Sequence, residues 1–202
     1  MSIDLAHRFE DGDAYDRFMA CWSRAAGELF LDWVGSRSGA RWLEVGCGTG
    51  VLTQLILDKA APKSLVAIDP AEAQIQHARP RSLADRVSFQ VADAHALPFD
   101  EATFDVVASG LVLNFIHDQA RALLEMRRVA VRGGIVTGYV WDFAAELSPS
   151  WPLRIGLREM GVDVPQVPGA DGSGVDGLRA LFERAGFEQI SGRSTRVVNA
   201  SF

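Results

Sequence analysis

The stretch that decides the fold is Glu44-Val45-Gly46-Cys47-Gly48-Thr49-Gly50, which ends a short apolar run and precedes a helical pattern. A strand that ends in a glycine-rich turn and leads into a helix is typical of a parallel α/β sheet. Glycines let the backbone turn tightly and approach a ligand closely. The helix that follows presents free N–H groups at its N-terminus. The sequence therefore predicts a ligand-binding turn at residues 44–50.

Strands and helices continue to alternate on the carboxyl side of this turn. Apolar runs predict strands at 41–45, 65–68, 87–91, 104–109 and 135–140. Helical spacing predicts helices at 14–33, from Val51 to just before Pro62, and at 72–79, 118–130 and 175–185. This alternation predicts a parallel sheet that is covered by helices on both faces.

Two of these helices carry more specific expectations. The pattern at 14–33 fits one long helix or two short helices broken near Ser23 and Arg24. In the helix at 118–130, apolar residues are predicted to face inward and charged residues mostly outward. The inward set is Leu123, Leu124 and Met126, and the outward set is Arg121, Glu125 and Arg128.

The spacing of the glycines distinguishes between two kinds of cofactor. The dinucleotide fingerprint is G-x-G-x-x-G, which would require a glycine at position 51 after Gly46 and Gly48. This chain has Val51 there, and its third glycine is Gly50. A nicotinamide-dependent oxidoreductase is therefore the less favoured reading. A G-x-G-x-G turn after an acidic residue resembles the first motif of the class I methyltransferases, whose cofactor, S-adenosylmethionine, has an amino-acid tail and no pyrophosphate.

Two aspartates follow the next two strands. Asp69 lies about 20 residues after the glycine turn, where an acid can accept hydrogen bonds from both ribose hydroxyls. Its other reading is a turn aspartate before Pro70. Asp93 follows the third strand, where its carboxylate can accept from the adenine amine while Ala94 meets the ring. Its other reading is a solvent-exposed loop acid.

Together these motifs resemble the class I S-adenosylmethionine-dependent methyltransferases, in particular the small-molecule type that includes ubiquinone and menaquinone biosynthesis enzymes. The resemblance covers residues 40–140 in order, and its motifs are specific for the cofactor and unspecific for the acceptor. The matching segments are 43–50, 68–70, 92–94, 96–99, 104–107 and 133–134.

The resemblance implies S-adenosylmethionine as the cofactor and assigns its binding residues. The methionine end would meet Glu44, Gly46, Cys47, Gly48 and Gly50, the ribose Asp69, the adenine Pro70, Asp93 and Ala94, and the sulfonium Ser109 and Leu111. Relatives also have an N-terminal flap, in which Tyr15 could reach the cofactor and Arg24 could pair with its carboxylate. The other reading of that segment is a helix packed on the sheet with surface arginines.

The predicted fold is an α/β Rossmann-like methyltransferase sandwich with a mostly parallel, twisted sheet in the order 3-2-1-4-5. Beside strand 5, two further strands are expected in the spatial order 7-6, short or incomplete. The sixth would lie at 187–190 and the seventh at 194–199. The alternative is that the C-terminal end of the domain is missing. The chain reads as a single methyltransferase domain with four parts. These are a helical cap (1–38), a cofactor-binding core (40–140), a substrate-side insert (142–173) with a short helix at 153–160, and a last helix and strand (174–202).

Composition narrows the function further. The chain has 202 residues and a formal net charge of −6, which argues against a nucleic-acid partner. We find no signal-peptide pattern and no apolar run long enough to span a membrane, so a cytoplasmic location is expected. No metal-ligand spacing is found, so no metal site is expected. The chain is expected to be a monomer or a homodimer. The expected activity is methyl transfer to a small-molecule acceptor, with no catalytic base assigned. A catalytically silent cofactor-binding or partner protein is the alternative.

Overall fold

The structure, a computed structural model, describes residues 12–79 and 86–198, and the side chains of 12–18 lie outside that description. The helices are α1 (Gly12–Val34), α2 (Val51–Ala60), α3 (Glu72–Ala78), α4 (Gln119–Val129), α5 (Trp151–Glu159) and α6 (Val175–Arg184). The strands are β1 (Arg41–Val45), β2 (Ser64–Asp69), β3 (Val87–Val91), β4 (Phe104–Gly110) and β5 (Ala130–Tyr139). Two 3₁₀ turns lie at Leu113–Phe115 and Ala170–Gly172.

The strands of the described residues form one sheet in the order β3-β2-β1-β4-β5, and every neighbouring pair is parallel. At the centre, Trp42 of β1 lies beside Leu65 of β2 and Val106 of β4. The predicted strand order and the α/β fold class are confirmed. Because all carboxyl ends of the strands meet at one edge, the loops that follow β1 to β5 are brought together there.

The core lies on both faces of this sheet because successive strand residues point to opposite sides. Trp42 packs with Phe30 of α1 and Leu55 of α2 in one cluster. Leu43, the next residue of β1, packs with Met126 of α4 in the other. Both β1 side chains have no exposed surface. Burying a side chain of this size contributes about 1.5–3 kcal/mol, so these layers fix the sheet that carries the site.

The N-terminal segment is one continuous helix, since α1 runs unbroken through Ser23 and Arg24. It ends at Val34, and the next residue, Gly35, has φ +81 and donates its N–H to Leu31 O at 2.9 Å. In the described ranges, neither α1 nor any other helix has the length and apolarity that a membrane crossing requires.

The predicted sixth strand is wrong. Gln189 has φ +54, a left-handed conformation that interrupts extended backbone. The ring of Phe187 lies 5.1 Å from that of Phe182, and Arg179 Nη1 donates to Ile190 O at 2.9 Å, so α6 holds this segment. No strand forms at 194–198 either, and residue 199 lies outside the described part of the chain. Within that part, β5 is an edge of the sheet.

Part of the predicted orientation of α4 is also wrong. Leu124 is 46% exposed, whereas Glu125 is buried. The Glu125 carboxylate accepts from Leu97 N–H at 2.9 Å and from Arg128 Nε and Nη2 at 2.8 Å each. Arg128, which is half-buried, also donates to the carbonyls of Leu97 and Phe99. This ion pair holds the loop after β3 against α4, so both charged residues face the protein.

Candidate cofactor and acceptor site

The candidate site is built at the carboxyl edge of the sheet. Gly46 N–H and Cys47 N–H both donate to Ile68 O, at 2.8 and 2.9 Å, so the start of the glycine turn is tied to β2. Ala92 N–H donates to Asp69 O at 3.2 Å, which ties the end of β3 to the end of β2. The ends of three neighbouring strands are therefore fixed relative to one another, and the acids at or just after these ends share one edge.

The glycine-rich turn needs its glycines for different reasons. Gly46, Gly48 and Gly50 have φ values of +78, +51 and +85, in the left-handed region. A Cβ on Gly46 would lie 2.5 Å from Val112 Cγ1, whereas a Cβ on Gly48 would meet nothing within 4 Å. Packing therefore requires glycine at 46. At 48 the space beside the main chain is open, as close approach of a ligand requires.

Gly46→Ala and Gly48→Ala should therefore differ in their effect on folding. Each substitution strains a left-handed residue by about 1–2 kcal/mol, but only the change at 46 meets Val112. We expect Gly46→Ala to lower the free energy of unfolding by about 1–3 kcal/mol more than Gly48→Ala, because overpacking adds to the strain. Urea unfolding of the two ligand-free variants measures the difference. Equal losses would contradict the packing role of Gly46.

Glu44 is a buried carboxyl group at the end of β1, with 1% of its surface exposed. Its Oε2 accepts from Thr53 Oγ1 at 2.6 Å, a contact that the sequence did not indicate. Burial raises the pKa of Glu44 to about 8, the Thr53 hydroxyl opposes this, and the Asp69 carboxylate adds to it. The contacts described for Glu44 include no cation. A buried carboxyl group in this state favours a cationic ligand.

Asp69 ends β2 and links two backbone segments. Its Oδ2 accepts from Gly48 N–H at 2.9 Å and its Oδ1 from Ala71 N–H at 3.0 Å. Burial raises its pKa, and these two N–H groups partly offset that effect. Each carboxylate oxygen can accept a second bond, so the group is oriented and still has acceptor capacity. Pro70, which follows it, is exposed.

Asp93 is an exposed acid on the loop after β3, with 65% of its side chain accessible. Its Oδ1 accepts from the backbone N–H of His95 at 2.9 Å and lies 2.6 Å from His95 Nδ1. These bonds to His95 lower the pKa of Asp93, the backbone N–H most. Ala94 between them is buried. His95 follows Ala94 in the sequence, and its contact with Asp93 is seen only in the structure.

Residues at the end of β4 and in the turn complete the edge. Ser109 has no exposed surface, and its Oγ has no hydrogen-bond partner among the described residues. Leu111 has φ +60, which is rare for leucine, and donates its N–H to Tyr139 O at 2.7 Å. Cys47 is buried, which raises the pKa of its thiol, as do Glu44 and Asp69. Burial and the two neighbouring carboxyl groups thus disfavour the thiolate form of Cys47.

The two flap residues are not joined to this edge by any described contact. Arg24 Nε forms an ion pair with Glu28 at 3.2 Å on the exposed surface of α1. Its described partner is thus one helical turn away, which fits the reading of a surface arginine. The side chain of Tyr15 lies outside the described residues, so its assignment stays a prediction.

The segment 142–173, which was predicted to be a substrate-side insert, is held by contacts at its two ends and by a contact with the residues after β4. Ser173 Oγ donates to Ala170 O at 2.6 Å and accepts from Ala144 N–H at 3.0 Å, which joins the two ends of the insert. Asn114 Nδ2 donates to Pro168 O at 3.4 Å. Neither Ser173 nor Asn114 was singled out from the sequence, since these contacts depend on tertiary structure. Asn114 lies three positions after Leu111, so the insert is held beside the end of β4.

A cavity of about 360 Å³ lies at the opposite edge of the sheet, between the start of β4 and the start of β5. Arg37 and Arg132 line it, and its Asp105 is bound by Arg41 through Nε and Nη2 at 3.0 and 2.8 Å. None of the residues assigned to cofactor binding lines this cavity, although parts of the matching segments 104–107 and 133–134 do. The candidate site is defined by the residues at the carboxyl edge and not by this cavity. In the described ranges, no group of three or more His, Cys, Asp or Glu residues could hold a metal ion.

Fold and site together define a doubly wound α/β protein that has a candidate ligand site at the ends of β1 and β2. The comparisons with known proteins identify this class more closely. A family model described as a methyltransferase domain matches residues 43–137. An S-adenosylmethionine-dependent methyltransferase of Thermotoga maritima has a similar fold, with a TM-score of 0.68 and 24% identity over 92% of this chain and 82% of that one.

Curated relatives agree with this match. The malonyl-[acyl-carrier protein] O-methyltransferase of Erwinia pyrifoliae is 36% identical over 113 residues, which are 56% of this chain and 42% of that protein. The ubiquinone/menaquinone biosynthesis C-methyltransferase of Roseobacter denitrificans is 28% identical over 160 residues, or 77% of this chain and 63% of that protein. The chain spans about half the length of the curated relatives it matches.

The methyltransferase-domain match at residues 43–137, the curated relatives and the fold support a class I S-adenosylmethionine-dependent methyltransferase with S-adenosylmethionine as its cofactor. The predicted resemblance and the predicted cofactor are thereby confirmed. Both the family match and Val51 count against the nicotinamide-dependent alternative.

Proposed function

We propose that this chain transfers a methyl group from S-adenosylmethionine to a small-molecule acceptor that lies between α1 and the substrate-side insert. Relatives named for malonyl groups and for quinone biosynthesis support an acceptor of this kind. The proposed organisation is a single domain with a cap (1–38), a cofactor core (40–140), the insert (142–173) and a C-terminal part (174–202). As far as residue 198, where the description ends, the last part consists of α6 and a tail without the expected strand.

The proposed position of the acceptor is supported mainly by the anchoring of the insert beside the end of β4. Asn114 binds Pro168 of the insert and lies close in sequence to Ser109 and Leu111, the residues assigned to the reacting centre. A Cβ on Gly169 would come within 2.7 Å of Asn114 O, so this part of the insert touches the backbone there. An acceptor held by the insert is thus close to the end of β4, where positioning can accelerate transfer.

The proposed cofactor site is supported by three features that fit the chemistry of S-adenosylmethionine. The open space at Gly48 suits close approach of the amino-acid tail. The buried carboxyl group of Glu44, which has no cation among its described contacts, suits the ammonium group of that tail. The unused acceptor capacity of Asp69 suits the ribose hydroxyls. In this proposal Gly46, Cys47 and Gly50 shape the turn, Pro70, Asp93 and Ala94 meet the adenine, and Ser109 and Leu111 flank the sulfonium.

When bound, S-adenosylmethionine supplies a methyl group on a positively charged sulfur, ready for in-line displacement. The chain's own residues then hold the two reactants in line, and this can supply much of the rate. Leu111 contributes a fixed backbone position through its N–H bond to Tyr139 O at 2.7 Å. A protein base is needed only where the acceptor must first lose a proton.

The test is a turnover assay on the purified chain with separate groups of phenols, amines, carboxylic acids and thiols. S-adenosylhomocysteine is measured by mass spectrometry against a reaction without acceptor. We expect one chemical group to raise its production above that background, and Asp69→Ala to reduce the increase when the cofactor is limiting. Cofactor binding without turnover in every group would contradict a small acceptor and favour the silent cofactor-binding alternative.

A further inference from the structure

The loop after β3 contains a histidine that binds its neighbouring aspartate twice. Asp93 Oδ1 accepts from the His95 backbone N–H at 2.9 Å and is 2.6 Å from His95 Nδ1. A backbone bond of this kind is common in aspartate turns and leaves the carboxylate some freedom. The second bond, from the ring, removes that freedom, since it fixes the side chain at the same oxygen.

The His95 ring is itself held from the other side. Asp118 N–H donates to His95 Nε2 at 3.3 Å, so Nε2 is the acceptor and Nδ1 carries the proton that points to Asp93. The backbone of the same residue is also fixed, because Arg121 Nε donates to His95 O at 3.1 Å. Asp118 and Arg121 belong to the N-terminus of α4, where Asp118 Oδ1 accepts from Arg121 N–H at 3.0 Å. The ring thus connects the loop to a well-packed helix.

These contacts have a consequence for Asp93. Both described bonds use Oδ1, so Oδ2 keeps its acceptor capacity for a ligand. The side chain is 65% exposed, and an unrestrained exposed carboxylate would have to lose rotamer freedom when it binds. With His95 in place the fold already restricts the rotamers of Asp93. Ligand binding therefore loses little further side-chain entropy, because the carboxylate is oriented before any ligand binds.

We propose that His95 is a positioning residue for nucleobase selection: it orients Asp93 so that Oδ2 accepts a hydrogen bond from the 6-amino group of adenine. This rests on the proposed role of Asp93 in the cofactor site. The carboxylate is an acceptor only, so it binds an amino group and repels the 6-oxo group of hypoxanthine. A site built to bind one group discriminates strongly against an analogue that lacks it. His95 therefore sharpens the preference for adenine without touching the cofactor.

The test is calorimetric titration of the full chain with S-adenosylhomocysteine and with S-inosylhomocysteine. The variants are His95→Leu, His95→Asn, Asp93→Ala and the double variant His95→Leu/Asp93→Ala. We expect His95→Leu to weaken S-adenosylhomocysteine binding about three- to ten-fold, the scale of one hydrogen bond, and to leave S-inosylhomocysteine nearly unchanged. His95→Asn keeps a side-chain donor and should retain most of the adenine preference.

The double variant decides whether His95 acts through Asp93. We expect it to bind S-adenosylhomocysteine as Asp93→Ala alone does. An unchanged adenine preference in His95→Leu would overturn the proposal. The proposal would also be overturned if the double variant bound S-adenosylhomocysteine more weakly than Asp93→Ala by the same factor that His95→Leu alone produces. If His95→Leu does not fold, His95→Phe, which also has no donor, is measured in its place, and an unchanged adenine preference in that chain overturns the proposal equally. Failure of the unaltered chain to bind S-adenosylhomocysteine would instead contradict the proposed function itself.

Discussion

Replacing Asp69 with alanine is expected to weaken S-adenosylhomocysteine binding by about 1–3 kcal/mol, the cost of removing the partner of buried polar groups. The reason is geometric. Asp69 is 9% exposed and is held by Gly48 N–H and Ala71 N–H, so its remaining acceptor capacity is oriented in advance. Isothermal calorimetry on the purified variant measures the loss directly.

Two comparisons separate a binding effect from a structural one. Asp58→Ala removes an exposed aspartate of α2 and is expected to leave the affinity unchanged. Asp69→Asn keeps one carbonyl acceptor and should lose less affinity than Asp69→Ala. The 2′-deoxy analogue of S-adenosylhomocysteine should bind the unaltered chain more weakly, yet bind Asp69→Ala about as well as the parent ligand does. An affinity unchanged by Asp69→Ala would refute the ribose assignment.

Glu44→Gln is expected to stabilise the ligand-free protein at high pH relative to the unaltered chain. The pKa of Glu44 is about 8 in the folded protein, against about 4.3 for an unperturbed glutamate. Between these values the folded state holds a proton that the unfolded state has lost. The stability of the unaltered chain is therefore fully present below the lower pKa and falls by about 1.4 kcal/mol per pH unit up to the higher one. Glutamine has no proton to lose.

The measurement is the difference in free energy of unfolding between the two chains, taken by urea unfolding from pH 5 to pH 9. The difference should grow in favour of Glu44→Gln up to about pH 8 and then level off. Asp69 and Cys47, whose pKa values are also raised by burial, are present in both chains. A difference that does not change with pH would contradict a protonated, buried Glu44.

The same group should make cofactor binding depend on pH. An ammonium group beside Glu44 favours its ionised form, so binding releases a proton below about pH 8. The affinity for S-adenosylhomocysteine should accordingly rise between pH 6 and pH 8, by at most about ten-fold per unit. Glu44→Gln should bind more weakly and lose this rise. An equally steep pH dependence in Glu44→Gln would assign the proton to another group.

The central sheet and the glycine turn could be predicted because their signals are local. Buried parallel strands appear as continuous apolar runs, and a turn with positive φ values requires glycines such as Gly46 and Gly50. The order of strands followed from the family resemblance. Glu44 and Asp69 could also be singled out from the sequence, because they lie at the carboxyl ends of predicted strands, where parallel sheets bind ligands.

Other features depend on partners that are distant in sequence. Glu125 was predicted to face outward because it is charged. In the structure its carboxylate is buried and accepts hydrogen bonds from Leu97 N–H and from Arg128. The segment 187–190 has strand-like composition, yet contacts with α6 and the left-handed Gln189 prevent a strand. The contacts of Thr53 with Glu44 and of His95 with Asp93 carry no pattern of their own in the sequence. They arise only when the loops meet at one edge of the sheet.

The account's central claim is that the carboxyl edge of this sheet binds S-adenosylmethionine through Glu44, the glycine turn and Asp69. Its most direct test is calorimetric titration of the unaltered chain with S-adenosylhomocysteine, with NAD as the control ligand. We predict binding of S-adenosylhomocysteine in the micromolar range and none of NAD. Binding of NAD, or of neither ligand, would contradict the claim.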